Sequence, residues 1–320
     1  MKKYCLKRLV STIPTIFILS ILLFSLLKIM PGDQVALSMS PHLRPDLYEE
    51  SYEAKKEILG FNDHFVVQYV NYMKALCKGD LGYSSTYDEP VVDVIRRPLM
   101  NTLLLNGSVF LITSLVSIVL GIQCALHKDS LFDRFMQWIS TFTISFPVFL
   151  IASFIQIIFG LWWNIFPISG MPMSSNIGEW LYYLILPVTT LCLITVSSLL
   201  PYIRIYILEV LDEDYITLAK AKGLSEKVIL YKHVLRNAMI PMITIFMSQL
   251  ATIFQGVLVI EILFSWEGMG SVLLKALYGR DLYLILSINF IYALLYVFSN
   301  MITDMLYAWL DPRVNMENMV

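Results

Sequence analysis

Residues Thr102–Leu126 read TLLLNGSVFLITSLVSIVLGIQCAL, a run without a charged side chain. As an α-helix rising 1.5 Å per residue it reaches about 37 Å, more than the roughly 30 Å hydrocarbon core of a bilayer. Further apolar blocks flank it, and the chain reads as six spans: 9–29, 102–126, 135–162, 181–206, 239–261 and 283–310. Composition agrees. Hydrophobic residues make up 57% of the 320 and charged residues 15%, against about 45–50% and about 25% in soluble domains. Blocks of this length exceed what a soluble core takes in, so the expected fold class is an all-α polytopic membrane protein with six transmembrane helices.

Lys and Arg set the orientation, because short cytoplasmic loops carry the excess. Lys2, Lys3, Lys7 and Arg8 precede the first span; Lys128 and Arg134 lie after the second; Lys220, Lys222, Lys227, Lys232 and Arg236 lie after the fourth. Loop 163–180 has no basic residue and loop 262–282 only Lys275 and Arg280. Both termini are therefore expected in the cytoplasm, as an even number of spans requires. The basic start resembles a signal peptide, but its apolar run exceeds the 7–15 residues of an h-region and no Ala-x-Ala site follows. A retained anchor is expected. The organisation reads as a tail and first helix over 1–30, an outer segment over 31–101, a five-helix core over 102–311 with a cytoplasmic loop 207–238, and a tail over 312–320.

The outer segment holds 11 acidic and 7 basic residues. Apolar periodicity (Leu47, Tyr48, Tyr52, Ala54, Ile58; then Phe65, Val66, Tyr69, Val70, Met73, Leu76) predicts amphipathic helices over 47–59 and 65–76, stopped by Gly60 and Gly79. Val91–Arg97 forms an amphipathic approach to the second span. The result is a small helical cap, too small for a free-standing enzyme domain. Within the spans, Pro14, Pro147, Pro187 and Pro201 are kinks that a bundle tolerates. Gly107, Ser108, Ser114, Ser117 and Gly121 permit close helix approach, within the chain or between subunits.

Several function classes are disfavoured. A net charge of −2 argues against nucleic-acid binding. Cys5, Cys77, Cys124 and Cys192 fall one per region with no CxxC, so neither a disulfide framework nor a structural zinc is implied. His42, His64, His127 and His233 are dispersed, without HExxH or GxSxG, which leaves no enzyme signature. No Gly is followed by Lys, so no phosphate-cradling P-loop occurs. An ion-coupled secondary transporter needs intramembrane carboxylates and typically internal repeats; only Asp304 is read well inside a span, and the halves show no repeat.

Between the fourth and fifth spans, Glu209–Asn237 opens on acids (Glu209, Asp212, Glu213, Asp214) and closes on bases (Lys227, Lys232, Arg236). That order complements a helix dipole and predicts two short helices broken at Gly223, the second capped by Ser225. On charge alone, a solvated hairpin and a docking surface fit equally.

The run Asp214-Tyr215-Ile216-Thr217-Leu218-Ala219-Lys220-Ala221-Lys222-Gly223-Leu224-Ser225, followed by His233-Val234-Leu235-Arg236-Asn237, resembles the EAA loop of ABC-importer permeases, in particular the dipeptide/oligopeptide/nickel branch. Ala219, Gly223 and Leu235 hold the motif's Ala, Gly and Leu. Thr217, Leu218 and Arg236 depart from its Glu, Ala and Pro, as that branch does. Pro31-Gly32-Asp33, Gly79-Asp80-Leu81-Gly82-Tyr83-Ser84 with Pro90-Val91, the segment Glu261…Phe264…Gly268-Met269-Gly270, and Asp304…Tyr307…Asp311-Pro312-Arg313 are similar to signatures of the same branch in the same order. Glu267 stands where Pro is common.

The resemblance implies a type I ABC importer permease fold with a small helical extracytoplasmic segment after the first span, in a bacterial or archaeal plasma membrane. It implies a homologous second permease as heterodimer partner, two cytoplasmic ATPase subunits and an extracytoplasmic binding protein. ATP and Mg would sit on the ATPases, and this chain would bind no cofactor. The cargo would be di- or oligopeptides, with nickel or a metallophore as the alternative. Asp214, Tyr215, Ala219, Ala221, Gly223, Leu224, Ser225, Leu235 and Arg236 would form the ATPase-coupling loop, the small Ala219 and Ala221 admitting a groove of the ATPase. Gly223→Asp or Ala219→Arg is expected to abolish transport while leaving the chain in the membrane. Among intramembrane polar residues, Arg204 and Asp304 are read as a structural pair, although an ionisable group at Asp304's depth is also a functional candidate. Gln156, Gln249 and Gln255 line a polar path or bond between helices.

Overall fold

The computed structural model describes residues 2–29, 45–58, 63–174 and 176–310. Gly60, Pro31-Gly32-Asp33, Asp311-Pro312-Arg313 with the tail 312–320, and the side chains of Cys5 and Asp304 lie outside the described residues. The first apolar block forms α1 (Lys2–Ile29), with Pro14 inside it. Two further helices follow, α2 (Pro45–Ile58) and α3 (Phe65–Cys77). A short hairpin of β1 (Tyr83–Ser84) and β2 (Glu89–Pro90) leads into α4 (Val91–Leu126). Helix α4 starts 11 residues before the charge-free run because Val91, Val94 and Ile95 are buried against Met269, Val272, Ala276, Leu284 and Ile288.

The block read as 135–162 is not a straight span. It forms α5 (Leu131–Ser145) and α6 (Val148–Trp162), which meet at 109°. Pro147 is the cause: it disfavours the helical region for the residue before it, and Phe146 is extended at φ −95°, ψ 140°. Then come α7 (Ile177–Leu211), with Pro187 and Pro201 inside, and the short α8 (Asp214–Ala221). After Gly223 the chain enters α9 (Glu226–Ala251) without a second short helix, contrary to expectation, so the loop's basic half is the first turns of a span. The fifth span also departs from 239–261: α9 stops at Ala251, residues 252–257 are non-helical, and α10 (Leu258–Leu263) resumes. Finally, α11 (Met269–Tyr278) precedes α12 (Leu282–Leu310).

Among the described residues α4, α7, α9 and Leu282–Thr303 of α12 are each long and apolar enough to cross a membrane, and α5–α6 qualifies as a bent pair. Their contacts fix the directions. Leu105 and Val109 of α4 cluster with Leu184 and Val188 of α7, and Ala125 clusters with Ile203 and Ile207, so α4 and α7 run parallel. Ile229 and Val234 at the start of α9 join Ile207 near the end of α7, which makes α9 antiparallel. Asp133 at the start of α5 meets Arg204 late in α7, and Ala152 and Ile155 in the second half of the α5–α6 pair join Leu186 early in α7, so α5–α6 also runs against α7. Leu23 late in α1 packs on Leu282 and Leu286 at the start of α12. These alternating directions fit six crossings.

The segment between α1 and α4 is stitched to the bundle. Tyr69 of α3 shares a 2.7 Å hydrogen bond with the buried Ser20 of α1, and the rings of Phe17, Phe24, Phe65 and Tyr72 surround the contact. Gly79, at φ 80°, ends α3 as expected, through Gly79 N–H to Leu76 O and Asp80 N–H to Ala75 O, the two bonds of a Schellman motif. Ser84 then donates to the Asp281 carboxylate, which also accepts from Thr86 N (3.0 Å) and Leu284 N (3.1 Å). One buried acid thus caps α12 and holds the hairpin, which gives the Gly79–Ser84 signature a structural meaning.

Candidate coupling face and pathway cavity

Helix α8 has an inner and an outer face. Ile216 and Ala219 are buried among Ile203, Ile207, Ile229 and Val234 of the same chain. Asp214, Tyr215, Leu218, Ala221, Lys222, Leu224 and Ser225 are exposed, Leu218 at 56%. The helix ends in a second Schellman motif, with Gly223 N–H to Lys220 O (3.0 Å) and Leu224 N–H to Ala219 O (3.3 Å). Gly223 sits at φ 76°, where a side chain on Cβ costs energy and glycine does not. Asn237 of α9 donates to the Tyr215 hydroxyl (3.1 Å), fixing α8 to the span behind it. Leu235 is half-buried and Arg236 exposed.

Two expectations change here. Ala219 does not belong to the outer face: its small side chain lets α8 settle on its own bundle. Ala219→Arg would force a guanidinium among Ile and Val side chains, so this variant is now expected to fail in folding rather than to reach the membrane intact. Ser225 stands at the N-cap of α9 but makes no side-chain cap bond; Ile229 N–H reaches its carbonyl oxygen instead.

Arg204 takes a partner that the sequence did not suggest. Its guanidinium holds the Asp133 carboxylate through two bonds, Nε to Oδ1 at 2.7 Å and Nη2 to Oδ2 at 2.6 Å. Asp133 Oδ2 also accepts from Asp129 N (3.0 Å). Arg204 thus ties the first turn of α5 to α7, while the side chain of Asp304, its expected partner, lies outside the described residues. Asp133 lies two residues before the block read as a span, which is why it was passed over. With side chains only 17% and 2% exposed, losing one partner leaves a buried charge, at a cost of about 3–5 kcal/mol. Asp133→Ala should accordingly lower the thermal midpoint in detergent, and Asp133→Leu combined with Arg204→Met should recover much of the loss. A single variant as stable as the parent would show the pair to be idle.

The break at 252–257 is built, not frayed. Asn106 of α4 donates from Nδ2 to both Ile253 O (2.9 Å) and Gln255 O (2.8 Å), taking the place of helical bonds. Gly256 N–H reaches the Tyr292 hydroxyl (3.2 Å). Beyond the break, the fully buried Glu261 accepts from Thr102 Oγ1 (3.1 Å), Val257 N (3.2 Å) and Ser271 N (2.8 Å), while Met269 N–H reaches Thr102 Oγ1 (2.9 Å). Glu261 and Thr102 thereby satisfy first-turn donors of α11 that its N-cap, Gly268, has no side chain to reach. A Cβ on Gly268 or Gly270 would run into the Glu261 carboxylate, and this explains the Glu261…Gly268-x-Gly270 spacing. Phe264 and Trp266 are buried beside it, with Trp266 Nε1 donating to Asn101 O (3.1 Å).

Between α4, α7 and the break lies a cavity of about 340 Å³, lined by Asn106, Phe110, Thr195, Gln249, Thr252 and Gln255 among others. Asn106 and Thr195 sit about midway along α4 and α7. Of the three glutamines singled out from sequence, Gln249 and Gln255 line this cavity. Gln156 does not; its amide joins Ile168 O (2.9 Å) to Leu263 O (2.8 Å) as a brace between segments. Asn106 and Thr195 were missed, since nothing in an apolar run distinguishes a cavity-facing polar side chain from a helix-packing one.

A bundle of alternating membrane helices, interrupted by a polar cavity and carrying a short surface helix between two spans, is an architecture that suits a transport permease. The chain belongs to the family of binding-protein-dependent transport system inner membrane components, whose model matches residues 117–316, with the N-terminal model of the same family over 1–106. It is 33% identical to the oligopeptide transport system permease protein AppB of Bacillus subtilis (strain 168), over 98% of this chain and 99% of that protein. It is 31% identical to the dipeptide transport system permease protein DppB of Lactococcus lactis subsp. cremoris (strain MG1363), over 99% and 100% respectively. A putative peptide transport system permease protein of Brucella suis biovar 1 (strain 1330) shares 34% identity over 97% and 98%.

Proposed function

We propose that this chain is the transmembrane permease subunit of an ATP-driven importer of di- or oligopeptides. The observation that carries the reading is the surface helix α8: its Schellman-ended C-terminus and exposed Tyr215, Leu218, Ala221 and Leu224 sit on a span-to-span connector pinned by Ile216, Ala219 and Asn237. Such a helix transmits a push to α7 and α9 instead of yielding to it. The full-length relatives, named for oligopeptide, dipeptide and peptide transport, favour peptides over nickel or a metallophore.

In this reading α8 faces the cytoplasm and docks on one of two ATPase subunits, which carry ATP and Mg. A homologous second permease completes the pathway, an extracytoplasmic binding protein delivers the peptide, and both termini lie in the cytoplasm. Closure of the ATPase pair moves α8, and α7 and α9 with it, from an inward-open to an outward-open arrangement. That coupling requires α8 contacts to differ in energy between the two states. Purification from native membranes in mild detergent, followed by mass spectrometry, tests the assembly. A second permease and one or two P-loop ATPases should accompany the chain; recovery of the chain alone, stable and monodisperse, would overturn the reading.

A further inference from the structure

The cavity between α4, α7 and the 252–257 break has a lining of one chemical kind. Among the described residues no Asp, Glu, Lys, Arg or His lines it, and its polar side chains are amides and hydroxyls. Among the described residues the side chains of Gln249, Gln255 and Thr195 make no hydrogen bond within the chain. Asn106 commits Nδ2 to two carbonyls, leaving Oδ1 as an acceptor. All three side chains are half-buried at the cavity wall, so an occupant that both donates and accepts can take the place of water on them. Non-helical backbone at membrane depth is tolerated where it is buried in protein or lines an aqueous cavity, not where it meets lipid. The open side of this cavity, next to residues 252–257, is therefore turned to protein or water and not to lipid, as the wall of a pathway would be.

We propose that this cavity is a transit subsite for the main chain of the transported peptide, read by Gln249, Gln255, Thr195 and Asn106 without regard to side-chain charge. The inference rests on the peptide-importer reading above. A main-chain amide offers one donor and one acceptor per residue, and carboxamides supply both. The volume falls within the roughly 300–1,000 Å³ of small-ligand sites. Neutral lining also suits transit, since passage requires binding weak enough to release.

The test uses the complete importer in proteoliposomes, with its binding protein and with neutral, acidic and basic tripeptides of equal length. Uptake by each variant is divided by wild-type uptake of the same peptide, which removes the binding protein's own preference. Gln249→Leu should lower all three ratios alike, roughly 10-fold. Gln249→Glu should instead split them, the acidic ratio falling at least about 10-fold below the basic one. Gln255→Glu, on the same cavity, serves if the first glutamate variant does not assemble. Uniform ratios in the glutamate variants, with wild type importing all three peptides, would overturn the subsite alone. Failure of wild type to import any tripeptide would overturn the peptide reading and the subsite with it.

Discussion

An importer carrying Gly223→Asp reaches the membrane at wild-type level and imports at least about 100-fold less peptide. Position 223 is exposed, and a Cβ there would meet nothing within 4 Å, so the bundle has room for the side chain. Asp and Asn both tolerate a positive φ better than other non-glycine residues, which keeps the Schellman turn within reach. What changes, on the coupling role proposed for α8, is its outer face, where a carboxylate would be buried without a partner by a docked ATPase. An uncompensated buried charge costs about 3–5 kcal/mol, and every 1.4 kcal/mol is a factor of ten in affinity. Gly223→Asn separates charge from backbone: it should retain much of the uptake. Gly223→Val, β-branched and poorly suited to φ 76°, should lose it by distorting the turn. Equal uptake by the Asp and Asn variants would show that the outer face of α8 is not buried in the working complex.

Glu261→Ala should be the most destabilising substitution at the α10–α11 junction. It strips an acceptor from Thr102 Oγ1, Val257 N and Ser271 N at once. Each buried donor left without a partner costs about 1–3 kcal/mol, so the sum approaches the ~5–15 kcal/mol net stability typical of folded proteins. The expected result is little or no chain in the membrane. Gly268→Ala should do the same for the opposite reason, since the added methyl occupies the carboxylate's place. Glu261→Gln keeps one accepting oxygen but sets an NH₂ group against backbone donors, and its thermal midpoint in detergent should fall between those of Ala and wild type. An Ala variant that accumulates and melts like the parent would refute the role of Glu261 as the junction's organising acid.

Span positions were legible because a charge-free run of sufficient length has few other uses, and α4, α7 and α12 begin or end within a few residues of their apolar blocks apart from α4's early start. The breaks were less legible. Pro147 announces a kink, but its size depends on what α5 and α6 pack against. The 252–257 break lies inside a block long enough to read as one span, where Gln255-Gly256 alone does not announce a break, and its carbonyls are satisfied by Asn106, nearly 150 residues earlier in the chain. Arg204 was visible as a cation within a span, but it was matched to Asp304; the α5–α7 contact that brings Asp133 to it leaves no mark in the sequence. In the connector, Gly223 was readable as a helix stop from residue type alone. Ala219 was not readable as an inward residue, because α8 is only eight residues long and carries too few apolar positions to define a face. The glycines of the Glu261 segment were noticed as a pattern, and their meaning became clear only once the carboxylate was seen to fill the space beside them.

The central question is whether this chain, in its native assembly, moves peptides at the expense of ATP. The deciding measurement is uptake of a radiolabelled tripeptide into proteoliposomes containing the importer purified through this chain, with ATP supplied on the α8 side and the binding protein on the other. The account predicts accumulation that requires both ATP and the binding protein and that disappears with Gly223→Asp. Peptide accumulation driven by an ion gradient without ATP, or ATP-dependent uptake unaffected by Gly223→Asp, would contradict it.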